Sequence, residues 1–358
     1  MDITRLDENF KINETAIIDG KKVYKLPCKD ISLYGTTYDQ KLGWFQRIPH
    51  QIAKQITYNI EVLSSTTAGA RAKFTTDSKE ITLSVKYKYL AKMSHMPFTG
   101  SSGFVLLEET ENGHNYIASF MPNYEKETGF TVTAKLPGEK MREYVLFFPM
   151  YNDYITEVTL AFDGDATVKE GRKYRFDLPV LYYGSSITQG GCCSRPDNSY
   201  QAYISKWNDA DFINLGFSGG AKGEDIMIEY LSSVKSKVFV CDYDHNAPNP
   251  EHLEKTHYKL YKAYRDKNPD TPIIFMTRPN GPFKPERNSD VSKRKRVVKN
   301  TYLKARAEGD ENVYFIDGKN LFGKNDRENC TVDGCHPNDL GFYKMAQALN
   351  KVIAPLLK

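Results

Sequence analysis

Two rhythms divide the chain. Up to about residue 175, short apolar stretches recur at strand-like intervals. "ITLSVKYKY" (81–89) alternates apolar and polar residues, the period of a strand with one buried face. "GFVLLEE", "YIASFM", "GFTVTAKL", "EYVLFFPMY" and "EVTLAF" follow, parted by "TGSSG", "ENGHN" and "DGDA". Many short strands with polar turns predict a β-sandwich or jelly roll.

After "KEGRKYRFD" (169–177) the pattern changes. Five apolar runs read as buried strands: "LPVLYYG" (178–184), "DFINLGF" (211–217), "KVFVCDY" (237–243), "PIIFMT" (272–277) and "NVYFIDG" (312–318). Helical periods separate them. Tyr200, Ile204 and Trp207 share one face, and Leu253, His257, Leu260, Tyr261 and Tyr264 another. A last helix starts near Asp339 and carries Phe342, Met345, Leu349 and Ile353 inward. Strand–helix alternation predicts a parallel sheet covered on both faces. The expected division is therefore a sandwich accessory domain over 1–175 and an α/β domain over 176–358. A length of 358 residues suits two cores better than one.

Charge adds little to this picture. The net charge is +4 from 49 basic and 45 acidic residues, which calls for neither nucleic acid nor an acidic membrane. The basic run "KRKR" (293–296) falls in a helix whose apolar positions are Val297, Val298, Tyr302 and Leu303, so a solvated face is the preferred reading. "MDITRLDENFKINE" has no apolar core of a signal peptide, and the expected location is cytoplasmic, a processed secreted form being the alternative. Six cysteines are too few for a disulfide scaffold and read as reduced thiols, in preference to a zinc site made with Cys335 and His336.

Ligands of an open α/β sheet bind beyond the carboxyl ends of its strands. The first run leads into Ser185 and Ser186, the second into "NLGFSGG" with Gly219, and the third into "DYDHNAP" with His245 and Asn246. The fourth leads into "TRPNGP" with Arg278 and Asn280, and the fifth, one loop later, into "DGCHP" with Asp333 and His336. A hydroxyl, amide donors and an Asp-x-x-His pair on one rim are the parts of an acyl-transfer site.

Here the sequence resembles the SGNH, or GDSL-type, hydrolases over roughly 178–350. The first block is "GSSIT" (184–188), the second holds Gly219, the third Asn246, and the D-x-x-H block is Asp333 to His336. The resemblance implies a flavodoxin-like three-layer fold with a five-stranded sheet and Ser186 as nucleophile. It further implies His336 as base, Asp333 as its partner, and an oxyanion hole from Ser186, Gly219 and Asn246. Ser185 stands where the family carries Asp, and "DHNA" replaces G-x-N-D. Ser185 is then a structural hydroxyl, and His245 a neighbour of the site and its rival base. The sandwich with "TGSSGFVLLEE" and "FFPMY" is similar to the N-terminal domain of carbohydrate esterases in this family. An ester of an oligosaccharide or small hydroxylated molecule, most simply an acetyl ester, is the implied substrate. An acyltransferase, a lysophospholipase-type acyl hydrolase and a non-catalytic sugar-binding protein are the alternatives. No metal or organic cofactor is called for. Arg195, Arg278 and Trp44 are candidates for substrate contact, with core packing the competing role for Trp44.

Overall fold

The computed structural model describes residues 16–18, 20–125, 128–279 and 288–357. Its first part is two antiparallel sheets. One has the order Ala16–Ile18, Lys21–Lys25, Ile155–Asp163, Glu80–Tyr87, Gly129–Lys135. The other runs Val168–Glu170, Arg71–Thr76, Arg142–Phe147, Phe104–Thr110, Gly113–Phe120, with Ser32–Tyr34 also paired to Arg71–Thr76. Side chains from the facing surfaces interdigitate: Leu83, Val85, Leu160 and Phe162 from one, Phe74, Leu106, Tyr144 and Leu146 from the other.

The second sheet is apolar on its outer face as well. Val105, Leu107, Val145 and Phe147 alternate with the inward residues and pack with Tyr182, Tyr200 and Phe212 of the α/β part. This explains why "FVLL" and "YVLF" are unbroken apolar runs while "ITLSVKY" alternates: only the former strands are covered on both faces. Charged residues reinforce the seam. Arg71, fully buried, pairs with the Asp211 carboxylate and lies 3.8 Å over the Phe212 ring. Lys73 meets Glu109 at 2.9 Å.

The five expected parallel strands are present as Val180–Gly184, Phe212–Gly216, Val238–Asp242, Ile273–Met276 and Val313–Ile316. Taken in chain order they lie 2-1-3-4-5, the flavodoxin-like arrangement, so the first strand sits where the winding reverses. The helix Pro250–Lys267 buries the face predicted for it, and Asp339–Ile353 buries Phe342, Met345, Leu349 and Ile353. Two features depart from expectation. The helices His50–Ile56 and Tyr58–Ser64 interrupt the strand-rich first part. Trp207, in the last turn of Tyr200–Asn208, passes the edge of the core and is 41 % exposed, stacked on Tyr203. Among the described residues no helix is long and apolar enough to cross a membrane.

Beneath the strand ends two carboxyls are buried. Burial pushes Asp242 up to about 7, although Thr188 Oγ1 donates to it at 2.5 Å; Asp244 is likewise raised, to about 6. The unfolded Asp242 carboxyl ionises near its ordinary 3.8 while the folded one still holds its proton. Folding is therefore unpenalised below about pH 4 and loses stability as pH rises from there through 7. Asp242→Asn removes this dependence. Its melting temperature is expected to fall less than that of the wild type between pH 5 and 8, as measured by thermal unfolding.

Candidate active site

The strand Val180–Gly184 delivers Ser185 and Ser186 to the rim. Ser185 is extended (φ −84°, ψ −163°) and its Oγ accepts the Ile187 N–H at 3.2 Å, capping the short helix Ser186–Gln189. Its hydroxyl is thereby committed to the backbone. Ser186, first residue of that helix, instead presents its Oγ 2.9 Å from His336 Nε2.

His336 sits in the loop before the last helix, which Asn338 caps by accepting the Gly341 N–H. Asp333 curls back within this loop. Its Oδ1 accepts the backbone N–H groups of Cys335 (2.9 Å) and His336 (2.7 Å), and its Oδ2 lies 2.7 Å from His336 Nδ1. Partial burial pushes the carboxyl up, but these bonds outweigh it and hold Asp333 down at about 2. An ionised Asp333 can only accept, so Nδ1 carries the proton and Nε2 is left to accept from Ser186. Hydroxyl, imidazole and carboxylate form one directed string across 150 residues of sequence.

The second strand ends in a turn held close to Ser186. Phe217 N donates to Gly184 O at 2.8 Å, joining the two strand tips. Gly219 has φ +66°, a conformation suited to glycine, with nothing within 4 Å of where a Cβ would be. Asn246, at the end of the third strand's short 3-10 turn, donates one amide proton to Phe217 O at 2.7 Å. That bond orients the amide on the same turn as Gly219, with one further N–H on its nitrogen.

Residues 177–354 match the model of the GDSL-like Lipase/Acylhydrolase family, and residues 24–168 match that of the N-terminus of SGNH-hydrolase-type esterases. The chain belongs to the GDSL-like acylhydrolases. No curated protein matches it in sequence. Solved structures do. A Bacteroides ovatus protein described as a GDSL-like lipase superposes with a TM-score of 0.84 at 25% identity, over 94% of this chain and 98% of that one. The salicylyl-acyltransferase SsfX3 of a tetracycline biosynthetic pathway gives 0.77 at 17%, over 95% and 98%. A family two carbohydrate esterase of Clostridium thermocellum, in complex with cellohexaose, gives 0.65 at 16%, over 91% and 99%. At those identities the last two speak for the fold.

In this acylhydrolase the three candidate contact residues have separate settings. Arg278 Nη1 donates to His245 Nδ1 at 2.9 Å, and His245 Nε2 lies 3.3 Å from Cys335 Sγ, beside His336. Arg195 is engaged by Asp197 at 3.0 and 3.1 Å and covers the Tyr116 ring. Trp44 meets His50 and Tyr154 edge-on, with the Lys88 ammonium 4.5 Å over its face; all three belong to the first domain. Asn280 lies outside the described residues. Among the described residues no three His, Cys, Asp or Glu groups could together hold a metal ion.

The first domain also reaches the site through residues that no sequence motif marks. The His95 ring lies 6.1 Å from that of His336. Tyr151, Met150 and Arg47 touch the segments bearing Ser186 and Gly219. Ser185→Ala should cost about 1 kcal/mol through the lost cap while leaving most of the esterase turnover. Denaturant unfolding alongside ester hydrolysis checks both halves of that expectation.

Proposed function

We propose that this acylhydrolase is a serine esterase that removes a short acyl group, most simply acetyl, from a hydroxyl of an oligosaccharide. The observation that carries the reading is the Ser186–His336–Asp333 string, with contacts of 2.9 and 2.7 Å. In this mechanism Ser186 Oγ attacks the ester carbonyl as His336 Nε2 takes its proton. The carbonyl oxygen becomes an oxyanion, for which the N–H groups of Ser186 and Gly219 and the Asn246 amide are the donors; one such donor is typically worth ~3 kcal/mol. The imidazolium gives the proton to the departing sugar oxygen, which leaves as a hydroxyl, and an acyl-serine remains. Water, deprotonated by His336, then attacks this ester; the imidazolium returns that proton to Ser186 Oγ as the acid departs. Asp333 stays ionised throughout, fixing the tautomer and balancing the imidazolium.

The oligosaccharide part rests on the two-unit layout, which the chain has in common with family two carbohydrate esterases, one of them a complex with cellohexaose. The likeness to an acyltransferase brings forward a second acceptor reading, in which another hydroxyl replaces water.

Hydrolysis of 4-nitrophenyl acetate and of an acetylated xylo-oligosaccharide tests the proposal. Ser186→Ala is expected to lower kcat/KM by roughly 10⁴-fold or more; activity equal to wild type rejects it, and sugar binding without turnover in any variant favours a binding protein. Adding alcohol acceptors separates the acyl fates: ester products in place of acetate favour the transferase.

The pH profile is a second test. Because Asp333 is held at about 2, it is ionised throughout the assay range. Asp333 should therefore add no step of its own to the rate between pH 5 and 8. Asp333→Asn is expected to lower kcat about 10²- to 10⁴-fold by spoiling the tautomer. A step between pH 5 and 8 that Asp333→Asn abolishes counts against this reading.

A further inference from the structure

We infer that the sandwich domain positions the oxyanion turn of the neighbouring domain, with Tyr151 as the principal positioning residue and Arg47 as its support. This rests on the proposed esterase reading for its catalytic consequence. The turn Phe217–Gly220 has few contacts of its own to fix Gly219. Gly220 N returns to Phe217 O at 2.9 Å, and a Cβ on Gly219 would meet nothing. Its neighbours supply the constraint.

Tyr151 is 7 % exposed, and its hydroxyl lies 2.8 Å from Ser218 Oγ and 3.4 Å from the carbonyl oxygen of Ser186. One phenol thus bridges the residue before Gly219 and the residue that bears the nucleophile. Burial raises Tyr151 well above the ordinary phenol range, so it stays protonated and able to donate. Gln189 makes a parallel link. Its Oε1 accepts the Ser218 N–H at 3.0 Å, and its Nε2 donates to Met150 O, next to Tyr151, at 3.2 Å. Arg47 grips the strand that feeds the turn. Its Nη1 donates to the carbonyls of Asn214 (3.1 Å) and Gly216 (2.6 Å), its Nη2 donates to Leu63 O (2.7 Å), and the guanidinium lies 4.5 Å over the Phe217 ring.

The proposed reaction needs two backbone N–H groups, of Ser186 and Gly219, at a fixed separation. They lie on different strands' loops, and preorganised donors stabilise charge only when their geometry is set beforehand. The bridge through Tyr151 joins those two loops. Loss of its hydroxyl should loosen the donor pair without disturbing the Ser186–His336 contact. That is a defect in the transition state and not in substrate binding.

The test uses the full chain. Tyr151→Phe and Ser218→Ala each break the same link and are expected to lower kcat on 4-nitrophenyl acetate about tenfold, with KM within twofold. The double variant should be no worse than Tyr151→Phe alone, since without the phenol hydroxyl the Ser218 hydroxyl has no bridge left to lose. Ser218→Thr, which keeps the hydroxyl, should recover most of kcat. Hydrogen exchange should quicken selectively in peptides spanning 212–222 of Tyr151→Phe. Unchanged kcat with unchanged exchange overturns the inference. So does a loss of activity that follows a general fall in melting temperature and uniformly faster exchange. Should wild type hydrolyse no ester, the functional reading fails separately, and exchange alone decides: selective quickening supports the bridge and its absence overturns it.

Discussion

A close approach of backbones governs the whole site. Gly184 and Gly216 end neighbouring strands and face each other in register. A Cβ on Gly184 would lie 1.6 Å from Asp242 Oδ1 and 2.1 Å from Thr188 Oγ1; one on Gly216 would lie 2.1 Å from Gln189 N. Only hydrogen at both positions lets the helix Ser186–Gln189 fold down over the strand tips. That descent brings Thr188 to the buried Asp242, Gln189 to the Ser218 turn, and Ser186 to His336. The Ser186 hydroxyl is therefore placed by the absence of two side chains. The buried carboxyl that accepts from Thr188 anchors the same descent from below.

The two domains are coupled through this arrangement. The outer face of the six-stranded sheet is continuous with the core under the parallel sheet. Fully burying one such aliphatic or aromatic side chain is worth ~1.5–3 kcal/mol, so a seam of several is substantial. Polar groups run along the same seam toward the rim, from Arg71 at Asp211 to Arg47 at Asn214 and Gly216 and then Tyr151 at Ser218. The seam gives adhesion at its apolar end and direction at its polar end.

The parallel strands were legible because strands buried on both faces are written as apolar runs, and the residues that follow them could be placed on one rim by topology alone. Ser186, Asp333 and His336 were thus readable as a set before any distance was known. Tyr151, Arg47 and His95 were not: each acts across the domain seam, and no periodicity encodes a contact over such separations. The helices His50–Ile56 and Tyr58–Ser64 escaped notice for another reason, being two turns each with too short a run for a 3.6-residue period to stand out. Trp207 kept the helical spacing of Tyr200 and Ile204, yet it meets the last helix only edge-on, through Tyr343, and borders a groove between the domains. Periodicity gives a direction around the helix and says nothing about how much of a side chain its neighbours cover.

The six-stranded sheet, apolar on both sides, bears on how such a protein can change over generations. A fragment carrying only one half would bare an oily plane of Val105, Leu107, Val145 and Phe147 to water, a surface prone to sticking to other chains. Recombination that parts the halves is penalised at the level of solubility before chemistry is ever tested. The pair is bound to travel as one heritable block, and novelty in such a chain must enter through the loops at the rim.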